Sequence, residues 1–358
     1  MGQQVKVGIV GCGAISAQYL DTIARLPNLR LIAVADLDPA RAKAVADAYP
    51  QVRALTVDEL LADAHVEVVL NLTIPAAHAE VALRAIAAGK DVYGEKPLAA
   101  STAEAAGVLD AAQAAGVRVG CAPDTVLGTG TQTARWVIDG GLIGTPIAAT
   151  ATMVTPGHER WHPNPDFYYV AGGGPLLDMG PYYLSSLITL LGPVVSVIGA
   201  ASHRRSERTI GSGARVGEII PVEIDTHVSG VLTHACGVLS TLVMSFDAVA
   251  TRSANIEVHG TKASLVVPDP NTFGGDVLMR GLGETQWQVV EAKAGYRTGR
   301  RGYGLAELAG GAPPRASGRL AYHVLDVMES LLASAKSGQA TTVTSTCERP
   351  AVVPLTDG

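Results

Sequence analysis

The stretch VGIVGCGAIS, residues 7–16, decides how the N-terminal part of this chain folds. An apolar strand ends at Gly11, which permits a tight turn, and Gly13 lets the backbone approach a ligand closely. Ser16 stands where the common Gly-x-Gly-x-x-Gly pattern has its third glycine, and its small side chain still allows close packing. A helix begins here, and its N-terminus suits a pyrophosphate. The predicted cofactor-binding residues of this turn are Gly11, Gly13, Ala14 and Ile15.

An acidic residue, Asp36, follows the second predicted strand in AVADLDPARA, residues 33–42. Its carboxylate can accept hydrogen bonds from the adenosine ribose hydroxyls and would repel a 2′-phosphate. The next residue is Leu37 rather than an arginine, so we expect NAD in preference to NADP. The alternative is that Asp36 or Asp38 only caps the helix that begins at Pro39. Asp38 suits the cap better, which leaves Asp36 for the ribose.

Short apolar strands alternate with alanine-rich amphipathic helices through the first third of the chain. This alternation predicts an α/β fold, a Rossmann doubly wound parallel sheet covered on both faces. The predicted strands are residues 5–10, 31–35, 66–72, 92–93 and 117–121, and the predicted helices are residues 14–26, 39–49, 76–88 and 102–115.

The pattern changes near Pro123, where we place a domain boundary, with the dinucleotide-binding domain over residues 1–123 and a second domain over 124–358. Several later strands are joined by short connections, which predicts an α/β domain with a large, mostly antiparallel, open-faced sheet. The predicted elements are a helix over 125–140, strands at 147–154, 194–202, 223–233, 237–246, 254–259, 263–267 and 286–291, and a late helix over 321–337 that we expect to pack back on the Rossmann domain.

The stretch 294–319 is rich in Gly, Arg and Pro and predicts a loop, which could lie over the site. Two interpretations of its arginines remain open. They could pair with an anionic substrate group, or they could be solvated.

Composition limits the partners and the compartment. The net charge is -6 and no basic stripe is present, which argues against nucleic acid. No apolar run approaches the length of a membrane span, so we expect no membrane partner. Four scattered cysteines, without paired spacing, read as free thiols, and the N-terminus enters a strand directly without a secretion signal. We therefore expect a cytoplasmic protein.

A lysine before a proline marks the second motif, AGKDVYGEKPLA, residues 88–99. Pro97 fixes its own backbone and pushes Lys96 out of helical geometry, so the lysine is presented on a rigid turn. The turn follows a strand of the parallel sheet, at the edge where open α/β folds bind their ligands. The alternative is an ordinary solvated loop lysine.

Polar and aromatic groups are concentrated in PGHERWHPNPDFYYVAGGG, residues 156–174. Sugars favour this mixture, because aromatic faces cover C–H surfaces and polar tips bind hydroxyls. The expected substrate contacts here are His158, Trp161, His162 and Tyr169. The alternative is a proline-rich linker with packed aromatics. His158 and His162 are four residues apart, but no third ligand is evident, so no metal is expected.

Four stretches together resemble the Gfo/Idh/MocA oxidoreductase family, which includes glucose–fructose oxidoreductase, inositol dehydrogenase and dihydrodiol dehydrogenase. They are residues 7–16, 68–99, 172–194 and 256–267. The resemblance implies a Rossmann domain, a nicotinamide cofactor and a sugar, glycoside or cyclitol substrate. It also implies oligomer contacts through the open sheet, so we expect a homodimer or homotetramer.

The resemblance also implies site residues. Thr73, Pro75 and His78 would lie beside the cofactor, and Glu95 and Lys96 match the pair near the nicotinamide. In the family's second catalytic segment, an aspartate is followed four residues later by histidine or tyrosine. Here these positions are Asp178 and Tyr182, with Tyr183 as the alternative tyrosine.

These residue types allow the oxidation of a secondary alcohol. Lys96 would hold the hydroxyl and share the proton transfer, because burial beside an oxidised nicotinamide disfavours its charge. Tyr182 would offer a phenol, and Asp178 would pair with Lys96 or bind a substrate hydroxyl. All three are expected both to contact substrate and to act in catalysis. The alternatives are purely structural roles, with Asp178 as a helix cap and Tyr182 as a hydrophobic core residue.

Three functions follow from this set of residues. The first is an NAD-dependent sugar or polyol dehydrogenase. The second is a glycosidase that oxidises a sugar transiently, eliminates the aglycone and returns the hydride. The third is a non-enzymatic sensor of sugar and NAD, against which the retained Lys96 and Tyr182 argue, since a sensor needs no proton relay.

Overall fold

The computed structural model describes residues 4–357, which divide into two compact units. The first unit contains the chain up to Leu127 together with Thr298–Tyr322, and the second contains Gly128–Arg297 and His323–Thr356. The expected domain boundary at residue 123 stays a prediction. The compact units differ from it because residues 298–322 belong with the N-terminal part of the chain.

The first unit contains a six-stranded parallel sheet in the order β3-β2-β1-β4-β5-β6, so the predicted Rossmann sheet is confirmed. In chain order its elements begin with β1 (Val5–Val10), α1 (Ser16–Arg25), β2 (Leu29–Ala35), α2 (Pro39–Ala48), β3 (Arg53–Leu55), α3 (Val57–Ala62), β4 (Val68–Asn71), α4 (Pro75–Ala87), β5 (Asp91–Gly94), α5 (Thr102–Ala115) and β6 (Val119–Cys121).

Local sequence explains where these elements begin and end. All four residues of β4 are buried, as expected for a central strand covered on both faces. The Asp38 side chain accepts a hydrogen bond from the backbone N–H of Ala40, so Asp38 caps α2 as predicted. Helix α5 begins after the Ser101 cap and ends at Gly116, whose φ of 68° is left-handed. The sequence missed β3 and α3, two short elements at the sheet edge.

The second unit contains a nine-stranded sheet and a two-stranded ribbon. Its elements up to residue 290 are α6 (Thr129–Asp139), β7 (Pro146–Val154), α7 (Pro175–Leu191), β8 (Val194–Ser202), β9 (Glu207–Thr209), β10 (Ile219–Pro221), β11 (His227–His234), β12 (Leu239–Ser245), β13 (Ile256–Gly260), β14 (Ala263–Val267), β15 (Val277–Gly281) and β16 (Gln288–Val290).

After residue 290 the chain forms α8 (Tyr303–Ala309), which belongs to the first unit, and then α9 (Gly318–Ser337) and β17 (Thr341–Thr342). The large sheet has the order β16-β15-β14-β13-β7-β12-β11-β8-β17, and β9 pairs with β10. Strands β7 and β12 are parallel and the other described pairs are antiparallel, which confirms the predicted sheet. Sequence patterns missed the short strands β9, β10, β15 and β17.

The prediction of a loop over residues 294–319 is wrong for its middle part, where α8 forms. Leu305 and Leu308 of α8 are fully buried in the hydrophobic core of the first unit. The helix is short and lies between glycine-rich segments, so its sequence gives no clear helical signal. Burial of its apolar residues supplies the stability that local propensity does not.

No helix within residues 4–357 is long and apolar enough to cross a lipid bilayer.

A buried histidine on α9 links the second unit's stability to pH. His323 Nε2 accepts a hydrogen bond from Val194 N at 3.0 Å, and Nδ1 lies 2.8 Å from Ser345 Oγ. Because Nε2 must accept, the ring is neutral in this arrangement. Burial lowers the pKa of His323 to about 4, while nearby Asp326 acts in the opposite direction.

We predict that His323→Gln weakens the pH dependence of unfolding. In the unfolded chain the histidine titrates near pH 6.5, so the unfolded state binds more protons between about pH 4 and pH 6.5. Stability is therefore fully present above this window and is lost as the pH falls through it. From about pH 7 to about pH 5, the wild type should lose about 2 kcal/mol more than the variant.

Urea unfolding followed by tryptophan fluorescence measures this, because Trp136, Trp161 and Trp287 all belong to the second unit. His65→Gln is the control, since that side chain is 75% exposed. An identical pH dependence in the wild type and in His323→Gln would contradict the assignment.

Candidate functional site

The predicted cofactor residues lie in loops that leave the carboxyl ends of four neighbouring strands. In the order β2-β1-β4-β5, these loops carry Asp36, the glycine turn, Thr73 with Pro75, and Glu95 with Lys96. Parallel strands present their carboxyl ends at one edge, and β1 lies where the strand order reverses. The topology therefore brings these loops to one edge of the first unit.

The two glycines of the first turn serve different purposes. Gly11 has a φ of 101°, and a Cβ there would lie 2.6 Å from the carbonyl oxygen of Leu72. No other residue fits without moving the backbone after β4. A Cβ on Gly13 would meet nothing within 4 Å, so its side is open. Gly11 is required by the fold, whereas Gly13 leaves room for a ligand.

Backbone N–H groups are available beside this open space. Helix α1 has no side-chain cap at its N-terminus. Within residues 4–357, the N–H groups of Gly13, Ala14 and Ile15 have no hydrogen-bond acceptor. Amides at a helix N-terminus, aided by the helix dipole, suit a phosphate group. The turn therefore fits the pyrophosphate of a dinucleotide.

Asp36 is fixed by backbone donors at the end of β2. Oδ2 accepts from Cys12 N at 2.7 Å, and Oδ1 accepts from Asp38 N at 2.9 Å. Each carboxylate oxygen can accept a further bond, so the residue can still bind ribose hydroxyls. Burial, and then the charge of Asp36, raise the pKa of Cys12 to about 11, so this thiol is protonated at neutral pH.

His78 connects two of the loops. Its ring is buried, with Nδ1 2.6 Å from the Pro97 carbonyl oxygen and Nε2 3.0 Å from that of Thr73. Thr73 donates its hydroxyl to Asn71, and Pro75 is the first residue of α4. The His78 side chain therefore braces the β4 and β5 loops, and a direct contact with the cofactor stays a prediction.

Glu95 is a buried carboxylate directly before Lys96. Oε1 accepts a hydrogen bond from the Tyr19 hydroxyl at 2.8 Å, and Oε2 accepts one from Lys96 N at 3.0 Å. Arg301 Nη1 lies 4.0 Å from Oε1. Burial, and then Glu95, raise the pKa of Tyr19 well above its usual value, so its hydroxyl stays a donor. The Lys96 side chain is half-buried.

Sequence reasoning missed Tyr19 and Arg301 as parts of this edge. Tyr19 is recognisable only as an apolar-face residue of α1. Arg301 is far away along the chain, and its segment is anchored by Asp124, which accepts from Gly302 N and Gly304 N at 2.8 and 3.0 Å. Burial raises the pKa of Asp124 to about 6.

Two other arginines in this segment also pair with carboxylates of the first unit, and Arg319 donates to the side-chain oxygen of Gln113. Arg300 pairs with Asp21, and Arg315 pairs with Glu307. The Arg300 side chain is half exposed in its pair, so both interpretations of these arginines stay predictions.

Asp178 and Tyr182 lie on α7 in the second unit. The helix begins at Pro175 with Gly174 as its cap, so Asp178 is not the cap. Residues four apart on a helix are neighbours, which brings the two side chains to one face. Pro181 lies in the second turn of the helix. Tyr182 is only 4% exposed.

The alternative tyrosine, Tyr183, has a different environment. Its ring is buried and its hydroxyl accepts a hydrogen bond from Asn255 Nδ2 at 2.8 Å. Burial raises the pKa of Tyr183. The Tyr183 hydroxyl therefore has a structural partner in the second unit, and the choice between Tyr182 and Tyr183 stays a prediction.

His158 meets Asp178 in the second unit. His158 Nδ1 lies 3.4 Å from Asp178 Oδ2. The His158 ring centroid is 4.2 Å from Phe246 and 4.8 Å from Tyr168. Trp161, at 5.2 Å from His158, is 58% exposed. Histidine, carboxylate and aromatic faces thus form one cluster.

The remaining loop residues take different positions. His162 packs edge-on against Phe167 and Tyr168. Tyr169 is fully buried. Its hydroxyl donates a hydrogen bond to Glu159 and accepts one from the backbone N–H of His158. No group of three His, Cys, Asp or Glu side chains suited to a metal occurs in the described part of the chain.

Two family models match the chain. Residues 5–122 match the model described as an oxidoreductase family with an NAD-binding Rossmann fold. Residues 131–266 match the GFO/IDH/MocA C-terminal domain.

Curated relatives match over part or most of the chain. The 1,5-anhydro-D-fructose reductase of Ensifer adhaerens is 28% identical over 343 residues, which covers 93% of this chain and 97% of that protein. The inositol 2-dehydrogenase of Burkholderia multivorans is 33% identical over 147 residues, 40% of this chain and 44% of that protein.

A solved structure of levoglucosan dehydrogenase in complex with NADH and L-sorbose has the same fold. The TM-score is 0.80 at 20% identity, and the match covers 96% of this chain and 100% of that chain.

The two glycines of the first turn yield a paired prediction. Gly13→Ala should keep the fold, because the added methyl group meets no protein atom, and should weaken NADH binding about tenfold or more by crowding the pyrophosphate. Gly11→Ala should lower the free energy of unfolding by about 2 kcal/mol or more, because of its φ and the Leu72 carbonyl.

Thermal unfolding followed by circular dichroism, and NADH fluorescence titration, separate the two effects. A Gly13→Ala protein that binds NADH as the wild type does would place the pyrophosphate elsewhere.

Proposed function

This chain belongs to the GFO/IDH/MocA oxidoreductase family with an NAD-binding Rossmann fold, and on that premise we propose that it transfers hydride between NAD and a secondary alcohol of a sugar, glycoside or cyclitol. The observation that carries the proposal is the shared sheet edge of the first unit. There a turn with open amides, the Asp36 carboxylate and the Glu95–Lys96 pair occur together.

The substrate class is supported by the names of the relatives. One reduces 1,5-anhydro-D-fructose, one oxidises inositol and one acts on levoglucosan. The cluster of His158, Asp178 and Trp161 in the second unit is of the type that binds hydroxyl-rich rings. A sugar or polyol substrate is consistent with both.

The proposed chemistry divides between hydride and proton. Bound NAD supplies the two-electron acceptor that takes the hydride from the alcohol carbon. Lys96 holds the alcohol oxygen, and Tyr182, which must be ionised for this step, accepts the hydroxyl proton. Asp178 accepts a hydrogen bond from a substrate hydroxyl, because an ionised carboxylate is an acceptor only. In the reverse direction Tyr182 returns the proton to the carbonyl oxygen.

Glu95 and His78 support this chemistry by position. Glu95 binds the backbone N–H of Lys96, and His78 contacts the Pro97 carbonyl on the other side. The lysine is therefore held by groups that flank it in the chain. A pre-oriented group contributes more to a transition state than a mobile one.

Asp36 supports the preference for NAD. Its position is fixed by two backbone N–H groups, and the neighbouring Leu37 is 95% exposed and offers no charge to a phosphate. A 2′-phosphate beside a fixed carboxylate costs several kcal/mol. We expect kcat/KM to favour NAD over NADP by about 100-fold.

A screen tests the proposed function. Levoglucosan and myo-inositol are offered with NAD and NADP, and 1,5-anhydro-D-fructose with NADH and NADPH, while nicotinamide absorbance is followed. A panel of glycosides is assayed in parallel for free sugar. Net NADH change on a sugar or polyol supports the proposal. Free sugar without net NADH would identify the redox glycosidase instead, and a preference for NADP would overturn the role of Asp36.

Variants assign the roles. Lys96→Met and Tyr182→Phe should each lower kcat about 100-fold or more, as expected for lost acid–base groups, with NADH affinity retained in Tyr182→Phe. Lys43→Met is the control for lysine, because Lys43 pairs with Asp47 on an exposed face of α2. Tyr183→Phe is the matched tyrosine. Full activity in Lys96→Met would refute an enzymatic role for the lysine.

We also propose that the protein is a homo-oligomer and works in the reducing cytoplasm. Ile198 and Val231 pair across β8 and β11 and are 57% and 39% exposed, on a face with few charges. Contiguous exposed apolar residues mark interaction sites. All four cysteines are free thiols, which is consistent with a reducing compartment.

The double variant Ile198→Lys/Val231→Lys should shift the protein to monomer, because two buried charges per subunit oppose association. Light scattering after size exclusion measures the mass, and circular dichroism checks the fold. Val249→Lys, at an exposed loop residue, is the control. A wild-type protein that is already monomeric would contradict the proposal.

A further inference from the structure

A buried ion network lies next to His158 in the second unit. Arg208 of β9 has only 1% of its side chain exposed and lies between two carboxylates. Its Nη1 is 3.3 Å from Glu159 Oε1, and its Nη2 donates to Asp247 Oδ1. The other carboxylate oxygen of Asp247 accepts a hydrogen bond from the Thr226 hydroxyl. None of these residues has a role in the chemistry above.

The network closes around the turn that carries His158. Arg208 Nη1 also donates to the Pro156 carbonyl oxygen at 3.2 Å. The Tyr169 hydroxyl donates to Glu159 and accepts from His158 N at 3.1 Å. The Arg208 guanidinium lies 5.3 Å from the Tyr169 ring centroid. The backbone at Pro156 and at His158 is therefore bound by the same buried group of side chains that includes Glu159.

Gly157 fits the same arrangement. Its φ is 118°, and a Cβ there would lie 2.1 Å from Glu159 Oε2. A side chain at this position would displace the carboxylate that Arg208 and Tyr169 share. The turn is thus shaped so that Glu159 can fold back beneath it.

Stability alone gives a weak reason for such a network. Burying one guanidinium and two carboxylates costs desolvation energy that their attraction does not reliably recover, and apolar residues of similar volume often serve as well. What the ions supply is direction, since a guanidinium fixes its partners by a planar fork of donors. The partners here are the turn itself and the strand end at Asp247.

The fixed turn determines where the His158 ring can go. Its backbone is held by Tyr169, and Phe246 and Tyr168 lie against the ring. In this position Nδ1 is 3.4 Å from Asp178 Oδ2. A shift of the turn would move the imidazole away from the carboxylate.

We propose that Arg208, Glu159 and Tyr169, here called the bracket, are positioning residues that hold His158 against Asp178 and so orient the carboxylate for substrate. This inference rests on the proposed function for the role of Asp178. It also gives Tyr169 a different role from the sequence-based one. Its buried ring supports the substrate residue His158 instead of contacting the substrate.

Two variants remove hydrogen bonds from the bracket but leave most of each side chain in place. Arg208→Lys keeps the charge and loses the fork, and Tyr169→Phe removes only the hydroxyl. Arg135→Lys is the matched control, because Arg135 is also buried and donates to one carboxylate, Asp139, and to the carbonyl oxygens of Thr189 and Pro350. A lysine there loses the same fork away from His158.

The first measurement needs no substrate. The full-length, cofactor-free protein is treated with diethyl pyrocarbonate, and carbethoxylation of each histidine is followed by peptide mass spectrometry. Labelling of His158 should rise about fivefold in Arg208→Lys and in Tyr169→Phe, as expected for one lost hydrogen bond, and stay unchanged in Arg135→Lys. Exposed His65 and buried His234 are internal standards. Unchanged labelling of His158 in both bracket variants would overturn the proposal.

The second measurement uses the substrate that gives the highest rate in the screen. Both bracket variants should lose about tenfold in kcat/KM, with NADH affinity within about twofold of the wild type, because the misplaced group orients the substrate and not the cofactor. Arg135→Lys should keep kcat/KM even where it lowers the unfolding temperature. Equal losses in Arg208→Lys and Arg135→Lys would mean a purely structural role and overturn the proposal.

Asp178→Asn distinguishes the inference from the function on which it rests. If this variant is inactive and the bracket variants keep full kcat/KM, the bracket inference fails alone. If Asp178→Asn keeps full activity, the proposed role of Asp178 fails, while the labelling result still reports whether the bracket holds His158.

Discussion

The close approach of Gly11 to the backbone after β4 is the constraint on which the cofactor edge depends. The position that a Cβ would occupy lies 2.6 Å from the Leu72 carbonyl oxygen. The two backbone segments can therefore come this close only because residue 11 has no side chain. That passage brings the first turn beside the β4 loop and starts α1 at the sheet edge. The open amides of the turn, the fixed Asp36 and the Thr73 loop all take their positions from it. A steric requirement at one residue thus organises an electrostatic site.

In both units, the proposed site residues are surrounded by side chains to which the proposed mechanism gives no chemical step. In the first unit, Glu95 is held by Tyr19 and binds the backbone of Lys96. In the second, the bracket holds the turn of His158. In each case a buried carboxylate accepts from a tyrosine hydroxyl and lies within 4.0 Å of an arginine. Low dielectric surroundings make such bonds directional, because misaligned partners lose more energy there than in water.

The sequence predicts the parts of this molecule that depend on local rules. The glycine turn, the cap at Asp38 and the central strands follow from backbone geometry, helix capping and continuous burial, and the structure has them. Short edge elements such as β3 and β9 carry too few residues for a pattern. The start of α7 at Pro175 also gives little local signal, because a glycine cap is less distinctive than a polar one.

Other residues were beyond prediction because distant parts of the chain bring them together. Arg301 meets Glu95, and Arg208 meets Glu159, across long sequence separations that no local pattern encodes. Phe246 looks like any strand-end core residue until its contact with His158 is known. Sequence motifs thus predict candidate site residues, whereas the residues that contact and orient them can be found only from the fold.

Helix α8 has a consequence for how this protein is made and how it can be divided. Leu305 and Leu308 complete a core whose other members all precede residue 123. In sequence terms residues 128–297 of the second unit interrupt the first. During synthesis the N-terminal sheet leaves the ribosome long before Leu305 and Leu308 of α8. Part of its hydrophobic core therefore stays exposed while most of the second unit is synthesised. A gene fragment cut near Pro123 would encode the strands of the sheet without the helix that finishes its core.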